Sequence, residues 1–121
     1  MKIRYLLDLH VMDSSRKSDI CIGTGLGKNI YKRKDILEKI IEIFEDNNFK
    51  NISVDDVFAS TYKHTVSSTI ARRCSIPCFQ IEINFKYVNI KHQEYSLDRL
   101  VKTMSEIVDM LEQDVNNFEP G

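Results

Sequence analysis

Two apolar runs limit what this chain can fold into. Ile3-Arg4-Tyr5-Leu6-Leu7-Asp8-Leu9 is apolar almost throughout, the pattern of a central parallel strand covered on both faces. Cys78-Phe79-Gln80-Ile81-Glu82-Ile83-Asn84 reads as a second such strand. Pro77 precedes it, at a position where a missing N–H is tolerable. A third run, Asp19-Ile20-Cys21-Ile22, follows a polar loop from Met12 to Ser18 and ends in Gly23-Thr24-Gly25-Leu26-Gly27. Asn51-Ile52-Ser53-Val54, with Val57-Phe58, predicts one more short strand.

Helical patterns separate these runs. Asp35 and Glu38 have capping-box spacing, with Asp in the place of Ser or Thr. Ile36, Leu37, Ile40, Ile41 and Phe44 then mark one apolar helix face, which Asn47-Asn48 ends. Val66, Ile70, Ala71 and Cys74 predict a shared face on a shorter helix. Ser96 is the expected N-cap of the last and longest helix, whose stripe runs Leu97, Leu100, Val101, Met104, Ile107, Val108 and Leu111. Strands alternating with helices predict a single α/β domain over residues 1–121, a layered parallel or mixed sheet flanked by helices.

Bulk charge excludes little but favours an ordinary globular chain. In 121 residues, 17 Lys and Arg nearly balance 18 Asp and Glu, which gives no support to a nucleic-acid partner. The basic run from Lys28 to Lys34 reads as a solvated helix approach. No run reaches membrane-spanning length, since Asp8 and His10 interrupt the first apolar segment. Cys21, Cys74 and Cys78 are an odd count without a signal peptide, which predicts buried thiols in a reducing cytoplasm. No second Cys or His cluster completes a structural zinc set.

Chemistry is expected at the strand ends. Residues two apart on a strand share a face, so Asp8 and His10 project together, as do Gln80, Glu82 and Asn84. Open α/β sheets bind ligands beyond the carboxyl ends of their strands, where both sets fall. His10 offers an imidazole suited to a transition metal such as zinc, with Asp8 close enough to orient it. The alternative is a strand-terminal His bonded to a loop. Glu82, between Ile81 and Ile83, is costly to bury unless it is paired, liganded or functional. Its alternative is an ion pair with Arg72 or Arg73. The glycine loop fails the dinucleotide pattern, because Lys28 stands where the third Gly belongs. It also fails the P-loop pattern, because Ile22 and Asn29 occupy required positions, so it reads as a plain turn. Thr65, Ser67, Ser68 and Thr69 lie near His64 without a nucleophile elbow and read as helix caps or lining. His64 and His92 read as solvent-exposed.

In their order, Leu7-Asp8-Leu9-His10, Asp19-Ile20-Cys21-Ile22-Gly23 and Gln80-Ile81-Glu82-Ile83-Asn84 resemble the carboxyl-terminal half of N-formylglutamate amidohydrolases. The resemblance spans Tyr5 to Tyr87. It implies a zinc carboxypeptidase-like layered fold, of the phosphorylase/hydrolase-like kind, and hydrolysis of an N-acyl amide bond in a small-molecule N-acyl amino acid. It further implies His10 as a zinc ligand, Glu82 as general base, and Arg72, Asn84 and Tyr87 as substrate-binding residues. The family's other zinc ligands, a His and a Glu separated by two residues, have no match here: Ser67 is three after His64, and Tyr95 three after His92. The expectation is therefore a half-site completed by a second subunit, a separate chain or a longer product. The competing expectations are a non-catalytic binding or assembly module and a truncated inactive relative. A sheet cut from a larger fold exposes an edge, so a homo-oligomer is expected.

Overall fold

The structure is a computed structural model that describes residues 4–56, 66–89, 91 and 97–118, with the backbone alone for 117 and 118. Its strands are β1 (Leu6–Met12), β2 (Ile20–Gly23), β3 (Ile52–Val54) and β4 (Cys78–Asn84). Its helices are α1 (Lys34–Asp46), α2 (Val66–Cys74) and α3 (Leu97–Phe118), with a 3-10 turn at Phe85–Tyr87. The chain is α/β, with one mixed sheet in the order β1-β4-β2-β3. β4 lies parallel to β1 and antiparallel to β2, and β3 runs parallel to β2.

The pleat gives the sheet two unlike faces. Phe79, Ile81 and Ile83 of β4 align with Leu7, Leu9 and Val11 of β1 and with Ile20 and Ile22 of β2. This face forms the core with Ile36, Leu37, Ile40 and Phe44 of α1 and Leu100, Ile107 and Leu111 of α3. The opposite face carries Asp8, His10, Gln80, Glu82, Asn84 and Cys21, and α2 packs on it. α2 answers that polarity by burying Ser67, Ser68 and Ala71, while Val66 and Cys74 are exposed. The predicted Val66–Cys74 face is thus rotated, because α2 covers the polar side of the sheet rather than its apolar side.

Four further expectations are corrected. Among the described strands β1 lies at the edge of the sheet, not at its centre, and Leu9 and Val11 are exposed by 50% and 54%. The capping box at the start of α1 does not form. Arg33 is the N-cap and makes no side-chain cap bond, and Asp35 pairs with the Arg33 guanidinium at 3.0 and 3.1 Å. The stripe of α3 is only partly covered, since Leu97, Val101 and Val108 are exposed. Of the thiols, Cys21 and Cys78 are buried but Cys74 is exposed. Val57, Phe58, His64, Thr65, His92 and Ser96 lie outside the described residues.

A polar cluster fastens the end of α3. Asp114 takes Arg33 Nη2 at 2.9 Å and the Tyr5 hydroxyl, and Arg33 Nη1 also donates to Tyr5. Burial, then the bond to Asp114, pushes the Tyr5 phenol up to about 12. Burial draws the Asp114 carboxyl upward, but Tyr5 and Arg33 outweigh it and hold the group below the usual carboxylate range. At the other end of the sheet, Arg99 stacks over Phe49 and Tyr87 in the core.

Candidate functional site

Parallel pairing sets two polar rungs side by side. Asp8 is the register partner of Gln80, and His10 is the partner of Glu82. Each pair points to the polar face, toward the carboxyl ends of the two strands. His10 Nε2 lies 3.0 Å from Asp8 Oδ2, and Gln80 Nε2 donates to Glu82 Oε1 at 2.7 Å. Glu82 is buried, whereas the His10 side chain is 45% exposed. The cost of burying the carboxylate is met by the Gln80 amide, while Arg72 and Arg73 are exposed. Cys21, on the far side of β4, is the register partner of Glu82 in the antiparallel pair. Ser67 Oγ stands 3.4 Å from Asp8 Oδ2 and closes the rung from above.

A cleft of about 580 Å³ opens beyond the carboxyl end of β1, lined by residues that include Met12, Asp13, Arg16, Ser18, Cys21 and Ser53. Arg16 and Lys17 bring cations to it, and Asp13 and Asp56 bring carboxylates. The Ser15 backbone and side chain hold the Asp13 carboxyl below its ordinary value. Asn84, fully buried, shapes this cleft indirectly: its Nδ2 donates to the carbonyls of Arg16 and Ser18, each at 3.1 Å. Its Oδ1 accepts from Lys86 N and caps the 3-10 turn. Asp19 anchors the same corner. Burial raises its carboxyl, but the Lys86 ammonium at 2.9 Å and the Lys50 N–H outweigh that and hold it low.

The six residues expected at the site therefore separate. Asp8, His10 and Glu82 meet on two adjacent rungs. Asn84 reaches the cleft only through backbone it holds in place. Tyr87 belongs to the core with Phe49 and Arg99. Arg72 is exposed in the last turn of α2, which delivers the chain within a few residues to the amino end of β4. The sequence reading missed the loop of Arg16 and Ser18, together with Ser53. Their placement depends on β2 lying beside β4 and β3 beside β2, and the signal in the sequence was Cys21 in an apolar run.

The glycine loop is a built turn. The Thr24 N–H donates to Asp55 Oδ1 at 2.7 Å, and Gly27 N donates to Thr24 Oγ1 at 3.0 Å. Gly25 takes φ +63, and a Cβ there would meet the Asn29 side chain at 2.7 Å.

The described residues do not complete a zinc site. Among them, no group of three or more His, Cys, Asp or Glu side chains is placed to hold a metal ion. Among them too, no helix is long and apolar enough to cross a membrane. Comparison with protein-family models, curated proteins and solved structures finds no match.

Proposed function

We propose that this chain is an N-formylglutamate amidohydrolase-like half-enzyme of the phosphorylase/hydrolase-like fold. It contributes His10 and Glu82 to a composite site that hydrolyses N-acyl amino acids in the cytoplasm. The observation that supports this reading is the shared rung of His10 and Glu82, an imidazole beside a buried carboxylate at the carboxyl ends of parallel strands. With Asp8 on Nε2, His10 keeps Nδ1 as a donor for a metal. A zinc ion, when bound, polarises the acyl carbonyl and acidifies water. Its remaining ligands would come from a His-x-x-Glu segment of a subunit of different sequence, a partner chain or a longer product, because residues 1–121 contain no such segment. Gln80 steadies Oε1 of Glu82 and leaves Oε2 to take a proton from the attacking water and return it to the leaving amine. Arg16 and Lys17 at the cleft supply cations for the substrate carboxylate, whereas Arg72 stands near the amino end of β4, away from it.

A second reading, a non-catalytic binding module, is favoured by the same pairing. His10 is already engaged by Asp8 and Glu82 by Gln80, as in a site that has lost its metal. Zinc content after gentle purification, compared between wild type and His10→Ala, together with an amide-hydrolysis assay on N-formylglutamate with added zinc, tests both. Turnover lost in Glu82→Gln supports the enzyme, and ligand binding without turnover supports the module. Equal, negligible zinc in both proteins sinks the metal assignment for this chain.

A further inference from the structure

β1 leaves one side of its backbone unpaired by any described strand. The Leu6 N–H donates to Pro77 O across to β4, so alternation turns the backbone groups of Leu6, Asp8, His10 and Met12 toward β4. Those of Leu7, Leu9 and Val11 face outward. Beside this edge, Val101 and Val108 of α3 stand exposed along a shallow apolar groove that Leu9, Ile83 and Met104 also line. A free edge flanked by exposed apolar side chains is a template for another strand.

We infer that the occupant is β1 of a second copy, paired antiparallel about a two-fold axis through Leu9. Leu9 is the midpoint of Leu6–Met12, so this register engages the whole strand. It sets Leu9 against Leu9 and Leu7 against Val11 of the other copy, and these residues carry the outward N–H and C=O groups. Each such pair exchanges both of its backbone hydrogen bonds. On the polar face it sets Asp8 of one copy against His10 of the other, twice by symmetry, at positions where opposed side chains approach most closely. The neighbouring registers lose this complementarity. A slip in one direction opposes Asp8 to Asp8, and a slip in the other opposes His10 to His10. On the apolar face, Leu9 and Val11 join the exposed valines of α3, so the contact is self-complementary in polarity as well as in hydrogen bonding. This interface stands independently of the hydrolase reading, since its readout is mass and cross-linking rather than zinc or turnover.

Sedimentation and light scattering are expected to give a dimer. Leu9→Pro removes an outward N–H without touching a bond to β4, so it is expected to give a folded monomer. A Leu9→Pro protein that remains dimeric, or a wild type that stays monomeric into the hundreds of micromolar, overturns the proposal. Should Leu9→Pro fail to fold, cross-linking decides. In a Cys74→Ser background, Asp8→Cys mixed with His10→Cys is expected to form a disulfide between the two variants. Disulfides formed by Asp8→Cys alone, by His10→Cys alone, or by no combination overturn it.

Discussion

His10 and Glu82 occupy one rung of the sheet, and each is engaged by the residue two positions before it in its own strand. Asp8 and Gln80, the two engaging residues, form the preceding rung. The polar face is therefore a four-residue ladder in which an acid orients an imidazole and an amide orients an acid. Register, rather than any single residue, creates it.

Gln80→Leu leaves the Glu82 carboxylate buried without its amide donor. The expected loss is about 1–3 kcal/mol of stability, the cost of an unsatisfied buried group. Urea unfolding of the variant and wild type checks it. An unchanged midpoint would show that Glu82 finds another partner.

Stability should fall at both ends of the pH scale. Asp19 and Asp114 have folded values below their ordinary 3.8. Their contribution is present above that value and is lost as pH falls through the folded values. Tyr5 is raised from 10.0 to about 12. Its contribution is present below pH 10 and is lost as pH rises toward 12. Urea midpoints across pH for wild type and Tyr5→Phe isolate the Tyr5 share of the alkaline arm, while the share of Cys78, raised to about 11, should remain in the variant.

Much of this architecture was legible, and the failures share a cause. The β4 strand, the apolar face of α1 and the strand-end placement of His10 and Glu82 follow from local spacing. The edge position of β1 does not, because continuous hydrophobicity in Tyr5, Leu6 and Leu7 cannot tell a covered strand from one awaiting cover. Ser67 and Ser68 turn inward because the sheet face above Asp8 is polar, a tertiary fact invisible in the helix itself. Arg33 defeats the capping box by engaging the Asp35 carboxylate that the box required. At the site, pair spacing revealed the ladder, but the cleft needed the antiparallel entry of β2.

Cys74 should be the thiol that reacts first. It is exposed, while Cys21 and Cys78 are buried, and burial pushes the Cys78 thiol up to about 11. Brief alkylation of the native protein followed by mass spectrometry is expected to show modification confined to Cys74, with the other thiols labelled only after denaturation. Early labelling of Cys78 would contradict the packing of α2 on β4.

Gly25→Ala tests the turn after β2. A left-handed backbone and a Cβ meeting the Asn29 side chain predict a loss of about 1–2 kcal/mol. Gly27, also at positive φ but with open space at its Cβ, separates backbone strain from crowding. Thermal melts of Gly25→Ala and Gly27→Ala should show the former destabilised more.

The pairing of β1 with β4 also sets the order in which the molecule is assembled. The first described strand finds its neighbour only when residues 78–84 have been made, so during synthesis Leu6–Met12 must wait, apolar and unpartnered, while β2, α1 and β3 emerge. Pairing so distant along the chain is slow to close and leaves sticky segments uncovered meanwhile. Newly made chains should therefore depend on cellular holding factors until β4 leaves the ribosome and gives the waiting strand its place.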